Sequence, residues 1–259
     1  MVRNLRELYQ YRALLWSLTV RELKARYRAS VLGFLWTFLN PTLLMVAYGL
    51  VFGVIMRSQI KHFLYFVFVG LLPWIFFSTS VGVGVSAISD RRDLMTKVRF
   101  PPQVLPATVV ATNLSNYLLS IPLMIALGAF YRVWPTWHVV AYPIVLLLQI
   151  VFTLALSYFV SALNVAFRDL QHIMTNVLQL WFFVTPVFYS LKDVPERFRA
   201  ILIAVNPMAA LVTSYQAIFY EHRLPAAAPL ALVGLESLLL LWLAAAVFEH
   251  RREEFAELV

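Results

Sequence analysis

The sequence predicts an all-α integral membrane protein that forms a single transmembrane domain (1–259). We expect six transmembrane helices per chain, an N-terminal amphipathic interface helix, and a re-entrant helical hairpin between spans 5 and 6. Of 259 residues, 61% are hydrophobic and 13% charged, whereas a soluble domain carries about 25% charged residues. This composition excludes an ordinary soluble enzyme. Aromatic residues make up 15% of the chain, which excludes a disordered one.

The N-terminal segment 1–29 is the first predicted element. At about 100° per residue, its apolar and basic side chains fall largely on different faces, although Arg12 and Arg26 interrupt the apolar one. This pattern is typical of a helix lying in the cytoplasmic interface of a membrane. The basic face would meet anionic headgroups or a partner, and a plain orientation anchor is the alternative. The apolar face holds Leu5, Leu8, Tyr9, Leu15, Trp16, Val20, Leu23 and Tyr27, and the basic face Arg6, Gln10, Arg21, Lys24 and Arg28.

Six apolar runs are long enough to cross a bilayer, which takes about 20 mostly apolar residues. With both termini cytoplasmic, 14 of the 21 Lys and Arg residues lie on the inner side, as the positive-inside rule expects. The predicted spans are 30–56, 63–88, 104–130, 139–166, 173–190 and 226–248.

A seventh apolar run, 200–220, lies within the predicted outer loop 191–225 and is interrupted by Asn206 and Pro207. We interpret it as a helix–break–helix hairpin that enters the membrane and returns. The alternative is a seventh span. Counting it as a span places 13 basic residues inside and 8 outside, so six spans fit the charge rule slightly better.

The chain lacks the residues of a catalytic or energy-converting site. It has no cysteine and five scattered histidines, and its four lysines are never followed by Ser or Thr, so there is no phosphate-binding loop. We therefore predict that it is not an enzyme and holds no cofactor or metal. Nucleic acid is a poor explanation for the net charge of +8. Glu236 is the one acid predicted near mid-membrane, with either a structural role or a place in a transport path.

Polar side chains recur at every fourth position on spans 3 and 4, and aromatic side chains are numerous. The polar stripes predict either hydrogen bonds between helices or a hydrophilic conduit. Rings that stack without strongly directional bonds would suit a sliding polymer, although most serve lipid or core packing. The stripes are Thr108, Thr112, Asn116 and Ser120, then Gln149, Thr153, Ser157 and Ser161; the predicted translocation path combines Trp36, Tyr48, Thr112, Asn116, Trp181, Phe182 and Tyr189.

The loop 89–103 is the clearest cytoplasmic feature. Ser89 or Asp90 can cap a short helix, and Phe100 with the two prolines after it ends the segment. The helix would have an apolar side and a basic side. It fits either a docking element for a cytoplasmic partner or a solvated, positively charged loop. The apolar side holds Leu94, Met95 and Val98, and the basic side Arg91, Arg92, Lys97 and Arg99.

Short motifs in a specific order resemble the membrane subunits of type-2 ATP-binding-cassette exporters, in the branch that exports O-antigen polysaccharide and teichoic acid. They run from residue 26 to the end of the chain. The motifs are RYRASVLGFLW at 26–36 with LNP at 39–41, GLLPW at 70–74, KVRFP at 97–101 with VLP at 104–106, NVAFRDL at 164–170, TPVFY at 185–189, NPMA at 206–209 and FAEL at 255–258.

The resemblance implies a homodimeric permease in the inner membrane of a bacterium. Two copies of a separate ATPase would bind ATP and Mg, and the cargo would be a lipid-linked polysaccharide, with membrane lipids as the remaining partner. Segment 89–102 would be the coupling helix, and the turn 168–172 a second ATPase contact. Export of a drug or lipid by the same fold is the alternative, and a membrane enzyme acting on a lipid-linked sugar is a weaker one. The implied coupling residues are Arg91, Arg92, Asp93, Leu94, Lys97, Val98, Phe100, Arg168 and Asp169.

Overall fold

The computed structural model describes residues 9–28, 32–91 and 100–250, and within these the regular structure is helical. We number the α-helices in chain order and name the short helical turns by their ranges. The helices are α1 Arg12–Tyr27, α2 Trp36–Tyr48, α3 Phe63–Gly84, α4 Val104–Phe130, α5 Tyr142–Asn164, α6 Leu170–Val184, α7 Glu196–Val205, α8 Pro207–Phe219 and α9 Ala227–His250; Gly33–Leu35, Ser89–Arg91, Trp137–Ala141 and Leu191–Asp193 are 3-10 turns, and Gly49–Ile55 is a π-helix that continues α2.

Five helical segments of the described chain are long and apolar enough to cross a membrane, and a bent pair of helices makes a sixth if it counts as one span. The five overlap predicted spans 1, 2, 3, 4 and 6, and only span 3 has the same two bounds. Their bounds are Gly33–Ile55, Phe63–Gly84, Val104–Phe130, Trp137–Asn164 and Ala227–Phe248.

Predicted span 5, at 173–190, differs from the structure in its bounds. Helix α6 starts earlier and ends at Val184, and its 15 residues give a length of about 22 Å at a rise of about 1.5 Å per residue. The chain leaves the helix at Thr185, which is extended (φ −90°, ψ 131°). Thr185 precedes Pro186, and a residue before proline is disfavoured in the helical region.

The bent pair is α7 and α8, which meet at Asn206 with an angle of 107° between them. Asn206 caps α8, because its Oδ1 accepts a hydrogen bond from the backbone N–H of Ala209 at 3.0 Å. Pro207 occupies the first turn of α8, where it has no hydrogen-bonded N–H to lose. The break therefore falls at the two residues that the sequence singled out.

Helix α3 lies at the centre of the bundle and packs against α2, α4, α5, α6 and α8. Most of its side chains are buried, including Phe68, Phe76 and Phe77, each at most 1% exposed. A smaller apolar cluster lies where α4, α5 and α9 approach the N-terminal helix, and Leu15 and Phe100 pack against it. The molecule is thus one helical bundle around α3.

Helix α1 packs mainly on α4. Thr19 is 2% exposed, whereas Tyr9 and Trp16 are both 69% exposed. The outward position of these two aromatic rings fits the predicted interface helix. Residues 1–8 and 29 of the predicted segment, and residues 30–31 of predicted span 1, lie outside the described residues.

Candidate translocation groove and coupling face

Two adjoining cavities run along one side of α3. The first, of about 320 Å³, lies between α2, α3 and α4, and the second, of about 780 Å³, lies between α2, α3 and α6. Both are lined by Asn40, Ile75 and Thr79, so they form one continuous depression, which we call the α3 groove. Polar side chains line the first part, among them Asn113, Asn116 and Ser120.

The second part of the α3 groove is mostly apolar and carries aromatic rings. The Tyr48 and Phe182 ring centroids are 5.2 Å apart, and those of Trp74 and Phe182 are 5.5 Å apart. Beyond the groove, the rings of Phe52 and Phe188 stack at 4.3 Å with an interplanar angle of 17°. Phe52 was missed from the sequence, although it lies one helical turn after Tyr48 and so shares its face.

Of the seven predicted path residues, four line the α3 groove: Trp36 and Asn116 in its first part, and Tyr48 and Phe182 in its second. Asn40, Thr79 and Asn113 line it as well and were not predicted. They are short polar residues on helices that were assigned from apolar content. Asn40 and Asn113 each lie within about one turn of a predicted path residue on the same helix, whereas α3, the helix of Thr79, carries no predicted path residue.

The other three predicted path residues are engaged elsewhere. Thr112 is fully buried, and its hydroxyl donates to the backbone oxygen of Thr108 at 2.8 Å. The Trp181 indole N–H donates to Asn206 Oδ1 at 2.7 Å. The Tyr189 hydroxyl donates to the Val184 backbone oxygen at 2.9 Å.

The polar stripe on α5 faces other helices. Gln149 is fully buried; its Nε2 donates to the Pro73 backbone oxygen at 2.7 Å, and its Oε1 accepts from the Tyr215 hydroxyl at 2.6 Å. Thr153, Ser157 and Ser161 are also fully buried. Of the two interpretations of this stripe, the contacts of Gln149 favour hydrogen bonding between helices.

Of the seven predicted coupling residues between α3 and α4, two are described. Arg91 forms an ion pair with Glu22 of α1, and Phe100 packs against the smaller apolar cluster. The other five, Arg92, Asp93, Leu94, Lys97 and Val98, lie outside the described residues.

The turn between α5 and α6 carries the remaining two, Arg168 and Asp169, both exposed. The turn lies beside the one at Ser89, because Asn164 Nδ2 donates to Ser89 Oγ at 3.3 Å. The two predicted contact regions therefore start from the same end of the bundle, which we call the coupling face.

The opposite end is held together by charged groups. Glu221 accepts from Lys192 Nζ at 3.3 Å and from Arg223 Nε at 2.5 Å. The Tyr220 hydroxyl donates to the Lys61 backbone oxygen at 2.6 Å. Burial, and then the nearby Glu221 carboxylate, raise the pKa of Tyr220 above its usual value of 10. Within the described ranges, no three His, Asp or Glu side chains lie close enough together to hold a metal ion.

Comparison with known proteins identifies one family and several relatives. The family described as ABC-2 type transporter matches residues 13–220. The O-antigen export system permease protein RfbA of Myxococcus xanthus is 65% identical over 258 residues, 99% of each chain. The protein of the same name from Klebsiella pneumoniae is 31% identical over 252 residues, 93% of each. The polysialic acid transport protein KpsM of Escherichia coli is 24% identical over 248 residues, covering 92% of this chain and 93% of its own.

Proposed function

This chain belongs to the ABC-2 type transporter family, and on that premise we propose that it is the transmembrane subunit of an ATP-driven exporter. The cargo would be a lipid-linked polysaccharide that crosses the inner membrane of a bacterium. The 65% identity over almost the full length to a permease named for O-antigen export carries this proposal. Three further relatives have names that refer to the export of O-antigen or the transport of polysialic acid, which favours a polysaccharide over a drug or lipid.

The α3 groove supports the proposal through its chemistry. A sugar polymer offers apolar ring faces and many hydroxyl groups. Aromatic side chains such as Tyr48 and Phe182 can stack on ring faces without fixing one register, and the amides of Asn40 and Asn116 can exchange hydrogen bonds with passing hydroxyls. A path of this kind binds the sugar polymer weakly at every position, so the polymer can slide along it.

A second copy of the chain would complete the path. Helix α6 presents exposed polar side chains at Gln171, Thr175, Asn176 and Gln179. Such side chains do not face lipid tails in membrane proteins, where they turn to another helix or to water. In a homodimer, α6 and the α3 groove of each copy would face the partner and a shared conduit.

The power would come from a separate ATPase, two copies per complex, which binds ATP and Mg. This chain has no phosphate-binding loop of its own. The ATPase would dock at the coupling face, on 89–102 and 168–172. The hydrogen bond between Asn164 and Ser89 supports this arrangement, because it sets the starts of both segments side by side.

We propose six spans with both termini cytoplasmic, with α6 as span 5 and the pair α7 and α8 as the re-entrant hairpin. The apolar content of the pair and its 107° bend fit a segment that enters the membrane and returns on the same side. Asn206 ties the bend to the end of α6 through Trp181, which fits a hairpin at the outer end of the bundle.

The test is to purify the tagged full-length chain from its native membrane and to follow export in cells. We expect an ATP-binding-cassette ATPase, identified by mass spectrometry and by ATP hydrolysis, in equal amount. Loss of the gene should abolish surface polysaccharide and leave the lipid-linked glycan inside. Arg168→Glu should weaken ATPase association, and Arg197→Glu, at an exposed arginine outside the coupling face, should not. Transport or ATP hydrolysis by the isolated chain would overturn the proposal.

A further inference from the structure

A third cavity lies beside the α3 groove, between α1 and the turn Ser89–Arg91. It has a volume of about 550 Å³, and Arg21, Glu22, Asp90 and Arg91 are among its lining residues. We call it the α1 crevice. Arg26 lines both the α1 crevice and the first part of the α3 groove. The side chain of Arg26 therefore stands between the two spaces.

Arg26 is held in this position by α4. Its Nη1 donates to Asn113 Oδ1 at 3.2 Å. Asn113 is 4% exposed, so its amide is a fixed support, and it lines the α3 groove itself. The hydrogen bond spans 87 positions of the chain and fixes where the C-terminal end of α1 lies.

One turn earlier on α1, Glu22 forms the ion pair with Arg91. The Glu22 and Arg91 side chains are 21% and 29% exposed. The pairing side chains Glu22 and Arg26 continue the stripe of Leu15 and Thr19, at spacings of three and four residues that keep all four on one helix face. This face holds α1 against the protein, and its last two contacts are polar.

Both contacts are suited to breaking and reforming. An ion pair with this degree of exposure is partly screened by water and contributes little stability. The hydrogen bond from Arg26 to the Asn113 amide depends on its geometry, so a small displacement of α1 would break it. Arg91 is the last described residue before the segment that contains the predicted coupling helix.

We propose that Glu22–Arg91 and Arg26–Asn113 form a latch that keeps the α1 crevice separate from the α3 groove. A displacement of α1 away from α4 breaks both contacts and opens the latch. Glu22, Arg91 and Arg26 are thus positioning residues that set access to the groove. The consequence for export rests on the proposed function, but the access itself does not, because both spaces belong to this chain.

The absence of cysteine from the sequence gives a direct test by single-cysteine labelling. Ser120→Cys places a reporter in the α3 groove at a side chain that is 3% exposed. Ser214→Cys places a matched reporter in α8, where Ser214 is 5% exposed and, like Ser120, bonds to its own helix. The full chain with its co-expressed ATPase is labelled in inverted membrane vesicles, without ATP, by a membrane-impermeant charged thiol reagent.

With the latch intact, the Ser120→Cys reporter should react slowly. Glu22→Gln or Arg26→Ala should raise its labelling rate about fivefold to tenfold, since hydrogen bonds to charged groups are among the stronger ones. The exchanged pair Glu22→Arg with Arg91→Glu should return the rate towards the starting value. Glu196→Gln, which removes an exposed ion pair to Arg199 at 3.9 Å, is the control and should change nothing.

The proposal is overturned if Glu22→Gln and Arg26→Ala leave the labelling of Ser120→Cys unchanged, or if the exchanged pair does not restore slow labelling. It is also overturned if Ser214→Cys becomes reactive in parallel, because the pair would then only hold the fold together. A failure of polysaccharide export with a normal labelling pattern would instead contradict the proposed function and leave the latch standing.

Discussion

The hydrogen bonds around Asn206 predict a large and specific loss of stability when this side chain is removed. Its Oδ1 accepts from the backbone N–H of Ala209 at 3.0 Å and from the Trp181 indole at 2.7 Å. Its Nδ2 donates to Thr185 Oγ1 at 3.2 Å. Asn206 is 5% exposed, so water cannot replace these partners. One amide therefore caps α8 and fastens the bend to α6.

Asn206→Ala should lower the free energy of unfolding by about 2–3 kcal/mol. A lost helix cap costs about 1 kcal/mol, and each lost side-chain hydrogen bond costs about 0.5–1.5 kcal/mol, nearer 0.6 between membrane helices. Trp181→Phe should cost about 1 kcal/mol, because it removes the indole donor and keeps a large ring. Since the two side chains share a bond, the double variant should fall short of the sum by about 1 kcal/mol.

The measurement is unfolding of the detergent-solubilised protein, followed by far-UV circular dichroism so that the loss of a tryptophan does not affect the signal. Thr185→Val is the matched variant: it keeps both Oδ1 bonds of Asn206 and removes the acceptor of the Nδ2 donor, so it should lie between wild type and Asn206→Ala. Arg197→Ala, at an exposed arginine of α7, should change stability by less than about 0.5 kcal/mol. If the double variant loses the sum of the two single losses of unfolding free energy, within about 0.3 kcal/mol, the hydrogen bond between Trp181 and Asn206 does not contribute to stability.

Three further predictions concern the core, a turn and the groove. Gln149→Leu should destabilise the protein by about 1–2 kcal/mol in the same unfolding assay, because it leaves the buried Tyr215 hydroxyl and the Pro73 backbone oxygen without partners. An unchanged unfolding midpoint would contradict a stabilising role for these hydrogen bonds between helices. Gly128→Ala should lower the yield of folded protein on size-exclusion chromatography, since a Cβ there would lie 2.8 Å from the backbone oxygen of Val133, and full yield would show that the turn adjusts. Tyr48→Ala should reduce surface polysaccharide while Tyr48→Phe retains it, with Leu238→Ala on α9 as an exposed control; equal export by all three would remove Tyr48 from the path.

The main spans could be predicted because the transfer of apolar side chains into the bilayer dominates the free energy of a transmembrane helix. A bilayer admits long apolar helices almost regardless of detail, so five of the predicted runs appear as helices. The end of α6 could not be placed as well, because the run remains apolar through Pro186 and a proline does not always end a helix in this chain: Pro73 and Pro122 lie inside α3 and α4.

The polar stripe on α4 shows why the groove was only half predicted. Positions four apart advance by about 40° around a helix, so Thr108 and Ser120 differ by about 120° in direction. Thr112 consequently faces the core while Asn116 reaches the groove. Asn113, between them in sequence, lines the groove without belonging to the stripe.

Contacts between distant segments were the least accessible to prediction. Glu22 and Arg91 are 69 positions apart, and each alone looks like an ordinary charge near the cytoplasmic end of a helix. The sequence marks Arg26 as an interruption of an apolar face and as the first residue of a family motif, and neither predicts a contact with α4. Its role depends on where α4 places Asn113, which no local pattern encodes.

The enclosure of α3 has a consequence for how this protein can change shape. Its neighbours pack against it on several sides, and Phe68, Phe76 and Phe77 leave almost no surface uncovered. Rotating or sliding such a helix would break several interfaces at once, whereas α1 and α6 touch the bundle along narrower strips. Spectroscopic labels on α3 should therefore report constant intramolecular distances through a transport cycle, and those on α1 and α6 should report the displacement.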